Sequence, residues 1–118
     1  MSIRGKNILV VDDEAQILNF LIRMLASKGF RVTGASSAEE ALDRYSGSFD
    51  LVVPDLTLSG KSGLWLLSQI RQKSSTVKFI LMSGTADVRS LQGLEKQKLT
   101  QFIRKPFKIE EMLEKMNA

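Results

Sequence analysis

The sequence predicts an α/β domain built on a parallel five-stranded sheet. Short continuous apolar runs recur along the 118 residues, as in strands buried on both faces. Each run is followed by a segment whose apolar residues recur at helical spacing. Glycines, serines and cap residues separate the two kinds of segment. Alternation of this kind implies right-handed crossovers and a sheet covered by helices on both faces.

Lys6 to Val11 reads as the first strand, with Ile8 to Val11 continuously apolar. Ile17, Leu18, Leu21, Met24 and Leu25 then mark a first helix, and Gly29 stops it. Arg31 to Ala35 is a shorter, weaker strand suited to a sheet edge. Ser36-Ser37-Ala38-Glu39-Glu40 offers a capping box in either of two registers. The helix it starts carries Ala38, Ala41, Leu42 and Tyr45 on one face. Leu51 to Val53 is the third strand, and Asp55 stands just beyond it. Ser62 or Gly63 opens a third helix with Leu66, Leu67 and Ile70 inward. Trp65 falls off that stripe and is expected to be partly exposed. Val77 to Met82 is a fourth strand, interrupted only by Lys78. A fourth helix is expected from about 86 to 96, capped by Thr85, with Val88, Leu91 and Leu94 inward. Gly93 inside it costs roughly 1 kcal/mol relative to Ala. Leu99 to Ile103 is the fifth strand. Ile109, Met112, Leu113 and Met116 mark a fifth helix after Lys105-Pro106.

Composition narrows the chemistry. The apolar fraction is 43% and the charged fraction 25%, ordinary for one globular domain over residues 1–118. There is no linker, repeat or low-complexity segment. No cysteine is present, which removes disulfides and thiolate sites. No histidine is present, which removes the commonest general base and transition-metal ligand. No apolar run approaches the ~18 residues of a membrane span, and none fits a signal peptide. A soluble cytoplasmic protein with no membrane and no direct nucleic-acid partner is the simplest expectation. The net charge is +4, unevenly spread. Between Lys61 and Lys108 ten basic residues face only Asp87 and Glu95. That segment is either a set of solvated helix faces or a docking surface for an acidic partner.

In a parallel sheet the carboxyl ends of all strands share one edge, where ligands bind in open α/β folds. Asp12 and Asp13 follow the first strand, Asp55 the third, Ser83 the fourth and Lys105 the fifth. Singly, each has an ordinary explanation: a helix cap, a turn, a surface lysine. Together they form a rim of three carboxylates and one ammonium. Two carboxylates ~5 Å apart repel by roughly 3 kcal/mol at an effective dielectric of 20. The cluster therefore wants a cation beyond Lys105. All its donors are hard oxygens, so Mg²⁺ or Mn²⁺ fits and zinc does not. Mg²⁺ typically serves phosphate chemistry, and a carboxylate can itself be the nucleophile that becomes an aspartyl phosphate. Lys105 and a metal would neutralise the oxygens of the arriving group, and Ser83 could bond one of them. A chain without histidine would receive that group from elsewhere.

From end to end the chain resembles the receiver domain of two-component response regulators, with a chemotaxis-regulator-like fold. The matching residues are Asp12-Asp13 after Ile-Leu-Val-Val, Asp55, Gly63 eight residues on, Ser83-Gly84, and Lys105-Pro106-Phe107. The resemblance implies a flavodoxin-like doubly wound (βα)5 fold with strand order 2-1-3-4-5. It implies Asp55 as phosphoacceptor, and Asp12, Asp13, Asp55 and the Thr57 backbone carbonyl as the Mg²⁺ site. It implies Lys105 as the cation that pairs with phosphate, often before a cis proline. Ser83 and Phe102 become a switch pair: a hydroxyl that turns to the phosphate and a ring that moves with it. The partners implied are a histidine kinase or histidine phosphotransfer protein. A downstream protein, an effector domain or a second copy would then dock on the fourth helix, fifth strand and fifth helix.

Two positions depart from the family pattern. Pro54 precedes the acceptor where the family usually has an apolar residue with a backbone N–H. Ser59 stands where the family usually has proline. Gly60-Lys61-Ser62 looks like the end of a phosphate-binding loop, but that motif needs glycine where Asp55 stands. Two other functions fit the same fold. One is an interaction module that docks without phosphorylation, its site distorted by Pro54. The other is a Mg²⁺-dependent phosphatase with an aspartate nucleophile, for which the loops show no separate general acid. The expectation is therefore not an enzyme beyond gaining and losing its own phosphoryl group.

Overall fold

The computed structural model describes residues 6–84 and 99–117. The strands are β1 (Asn7–Val11), β2 (Arg31–Ala35), β3 (Leu51–Pro54), β4 (Lys78–Ser83) and β5 (Thr100–Arg104). The helices among the described residues are α1 (Ala15–Ser27), α2 (Ala38–Arg44), α3 (Gly63–Lys73) and a C-terminal helix, Ile109–Asn117. The expected helix over 86–96, with Thr85 and Gly93, lies outside the described residues, as do Arg89, Lys96 and Lys98.

All strand pairs are parallel, and the order is β2-β1-β3-β4-β5. This is the flavodoxin-like arrangement that the family resemblance implied. The weakest apolar strand, β2, sits at the edge, where a half-exposed face is tolerated. β1 lies in the interior and is buried from Ile8 to Val11. The alternation of side chains along each strand splits the core in two. Leu9, Val11, Val52, Phe79 and Leu81 face α2 and α3. Ile8, Val10, Val53, Ile80 and Met82 face α1 and the C-terminal helix. Fully burying an aliphatic side chain contributes about 1.5–3 kcal/mol, so these two layers dominate the favourable side of folding.

Local chemistry sets the helix starts. Ser37 caps α2, its hydroxyl accepting from the Glu40 N–H at 3.0 Å. That bond selects Ser37–Glu40 of the two capping registers, and the Glu40 carboxylate also accepts from the Ser36 N–H, one residue before the cap, at 2.7 Å. Ser62 caps α3 by accepting from the Trp65 N–H at 3.1 Å. Trp65 itself is half-buried against the edge of the core.

Pro54 is accommodated without losing the strand. The Asp55 N–H donates to Val11 on β1 at 2.9 Å, and the Leu56 N–H donates to Met82 on β4 at 2.8 Å. Alternation of backbone donors along a strand points the Pro54 nitrogen toward β4, where it has no hydrogen to give. The β3–β4 ladder accordingly stops after Val52–Phe79 and returns only at the Asp55–Met82 bridge. The missing donor thus weakens one side of β3 and leaves both bonds that anchor the residues after it.

Candidate functional site

The carboxyl edge of the sheet gathers the acidic residues. Asp12 leaves β1 fully buried, and its backbone N–H donates to Ala35 at 3.1 Å. Its Oδ1 accepts from the Glu14 N–H at 2.9 Å, so the side chain also supports the entry to α1. Asp55 leaves β3 with 5% exposure. Its Oδ1 accepts from the Thr57 N–H at 3.0 Å. Lys105 leaves β5, and its N–H donates to the Ser83 carbonyl at 2.7 Å, fixing where the side chain starts. The Lys105–Pro106 peptide bond is cis.

The lysine closes the cluster. Lys105 Nζ lies 2.9 Å from Asp12 Oδ2 and 2.5 Å from Asp55 Oδ2. One ammonium thus bridges two carboxylates whose chain positions are far apart. Burial works against the Lys105 charge. The bonds to Asp55 and Asp12, with their negative charges, outweigh it and hold the ammonium above the usual lysine value. Buried charges of this kind persist only when paired, and the pairing here needs β1, β3 and β5 in register.

Asp13 behaves differently. It is exposed and turns to the loop after β3, where Oδ2 accepts from the Ser59 N–H at 2.9 Å and the Ser59 hydroxyl at 2.8 Å. The Ser59 hydroxyl first, then its N–H, hold the Asp13 carboxyl below the usual aspartate value. Asp12 and Asp55 therefore converge on one point and Asp13 does not join them. Among the described residues no three acidic side chains close into a metal cage. The donor set still fits a hard divalent cation: every donor is an oxygen, and the rim carries three carboxylates against one lysine, which leaves two negative charges uncompensated although only Asp12 and Asp55 touch Lys105.

The backbone around Asp55 is tightly packed. A Cβ on Gly63 would stand 2.4 Å from the Asp55 carbonyl oxygen and 3.1 Å from Leu56 Cα. Only glycine lets the start of α3 approach the strand end this closely. Gly60 holds φ +78°, the left-handed turn that carries the loop over. Ser83 is buried at the end of β4, and Phe102 on β5 pairs with Leu81 and packs half-buried on the α2–α3 side of the core. The sequence and its family resemblance singled out Asp12, Asp13, Asp55, Gly63, Ser83, Phe102 and Lys105. Ser59 stood out only as a departure from the family's usual proline, and its double donation to Asp13 was not foreseen.

The comparisons with known proteins agree with this geometry. The response regulator receiver domain model matches residues 8–117. PetR of Rhodobacter capsulatus is 33% identical over 119 residues, spanning 100% of this chain and 50% of that protein. The transcriptional regulatory protein CpxR of Escherichia coli K12 is 31% identical over 111 residues, spanning 94% of this chain and 47% of that protein. The chain therefore spans about half the length of these curated relatives. The crystal structure of a response regulator receiver protein from Pseudomonas putida superposes with a TM-score of 0.85 at 32% identity, covering 99% of this chain and 98% of that one. By fold, by the acidic rim bridged by lysine and by sequence, the chain belongs to the receiver domains of two-component response regulators, a family of signalling domains.

Proposed function

We propose that this chain accepts a phosphoryl group on Asp55 from the phosphohistidine of a histidine kinase or histidine phosphotransfer protein. The observation that carries the reading is Lys105 Nζ touching both Asp12 and Asp55. It presents a buried carboxylate at the ligand-binding edge of the sheet with a fixed cation beside it. In the transfer an Asp55 oxygen forms the new O–P bond. The bond from phosphorus to the donor nitrogen breaks, and that nitrogen keeps the electron pair. The Thr57 N–H holds the other Asp55 oxygen, which orients the attacking one. Lys105 then passes from the Asp55 carboxylate to a phosphoryl oxygen, a short movement because the phosphoryl group is carried on Asp55 itself. Ser83, at the end of β4, is the proposed hydroxyl partner of the phosphoryl group, and Phe102 the ring that responds.

Asp12, Asp13, Asp55 and the Thr57 carbonyl would hold Mg²⁺. The ion would neutralise phosphoryl charge that one lysine cannot balance. The proposed consequence is a change in the surface of β5 and the C-terminal helix, with the segment before β5. Arg104 and Lys108 are exposed there, which suits an acidic partner or a second copy with answering acids. The competing reading, docking without phosphorylation, rested on distortion by Pro54. The Asp55 and Leu56 backbone bonds argue against it. The test is incubation with acetyl phosphate and Mg²⁺ followed by intact mass. One phosphoryl group should be gained by the wild type and none by Asp55→Asn. Equal gain by Asp55→Asn would show that the acceptor is another residue.

A further inference from the structure

Ser59 lies four residues after Asp55, in the loop between β3 and α3. Both of its donors reach Asp13 Oδ2, the N–H at 2.9 Å and the hydroxyl at 2.8 Å. An oxygen that accepts two hydrogen bonds has both lone pairs engaged. It cannot offer one to a cation without giving up a donor. The other two carboxylates of the rim meet at Lys105, while Asp13 is drawn toward the loop. The result is an acidic site whose third arm has one of its two oxygens already occupied.

We infer that Ser59 is a latch on Asp13, a positioning residue that holds this carboxylate away from Mg²⁺ and lets go when the metal binds. The inference rests on the proposed role of Asp13 as a metal ligand. Proline, the usual residue here in the family that the sequence resembles, has neither donor and cannot form this latch. Metal binding through Asp13 Oδ2 must therefore break a contact between the loops after β1 and β3. That weakens Mg²⁺ binding and ties it to a movement of the loop that follows the acceptor.

The latch is tested by Mg²⁺ titration of the wild type, Ser59→Ala, Ser59→Thr and Ser59→Pro, followed by backbone amide shifts at residues 12 and 13, and at 59 in all but Ser59→Pro. Losing the hydroxyl removes one net hydrogen bond, so Ser59→Ala should bind Mg²⁺ about five-fold more tightly. Ser59→Pro removes both donors and should bind more tightly still. Ser59→Thr keeps both and should match the wild type, which a merely structural role for the side chain would not require. In the wild type, saturating Mg²⁺ should move the Ser59 amide to the position of an N–H bonded to water. Unchanged or weaker affinity in Ser59→Ala, with a normal response in the wild type, overturns the latch and leaves the metal reading intact. No response in either protein overturns the metal reading and the latch with it.

Discussion

Removal of the Lys105 charge should expose the repulsion that the site stores. In Lys105→Ala, Asp12 and Asp55 lose the nitrogen that both touch, at 2.9 and 2.5 Å. Oxygens that share one partner at those distances lie no more than about 5.4 Å apart. At an effective dielectric of 20, two unit charges there repel by about 3 kcal/mol. The same figure falls within the range of about 3–5 kcal/mol for breaking a buried ion pair. Urea unfolding of the metal-free protein should show it. With a slope of about 2 kcal/mol per molar, the midpoint should fall by about 1.5 M. Adding Asp12→Asn in the Lys105→Ala background removes one of the two charges and should recover most of the loss. Mg²⁺ should stabilise Lys105→Ala more than the wild type, since a cation then replaces the missing one. A loss below about 1 kcal/mol, or a double variant no more stable than Lys105→Ala, would refute this account of the site's electrostatics.

Other expectations follow from single contacts. The raised Lys105 value means that its stabilising contribution is complete below the ordinary lysine value of 10.5 and is lost as pH rises through the folded value. The gap in urea midpoint between the wild type and Lys105→Ala should accordingly narrow as pH rises above the ordinary lysine value of 10.5. Gly63→Ala places a methyl 2.4 Å from the Asp55 carbonyl oxygen. It should cost about 1–3 kcal/mol by overpacking and slow phosphorylation, read by thermal unfolding and by the rate of mass gain. Ser62→Ala removes the α3 cap and should lower stability by about 1 kcal/mol, with phosphorylation still complete at long times. Ser83→Ala should leave Asp55 able to gain the phosphoryl group but blunt the amide shifts that follow at Phe102, as two-dimensional NMR would report.

Much of the fold was legible because its signals are local. Ile8 to Val11, Leu51 to Val53 and the run before Ser83 are apolar without a break of two, and only a doubly covered sheet buries such runs. The rim was legible because a parallel sheet brings strand ends together wherever they stand in sequence. Contacts between loops were not. Ser59 showed only as a departure from a pattern, since nothing in sequence tells which carboxylate a loop hydroxyl will meet. The side of the sheet on which Pro54 withholds its hydrogen depends on register, which only the fold fixes. Basic residues misled in one respect. Lys78 and Arg71 count toward a cationic surface, yet Lys78 Nζ donates to the Lys115 carbonyl at 2.7 Å and binds the end of the C-terminal helix. The Arg71 guanidinium lies 4.9 Å from the centre of the Phe79 ring and also donates to the Val77 carbonyl. Long side chains with apolar stems turn inward where a carbonyl awaits them, and charge counting cannot see that.

Which atom takes the phosphoryl group can be read directly by chemical trapping. Borohydride reduces an acyl phosphate to an alcohol, so an aspartyl phosphate becomes homoserine. The protein incubated with acetyl phosphate and Mg²⁺, then reduced and digested, should carry homoserine at position 55 and aspartate at positions 12 and 13. Homoserine at 12 or 13, or unmodified Asp55 in protein that has gained a phosphoryl group, would contradict the central claim.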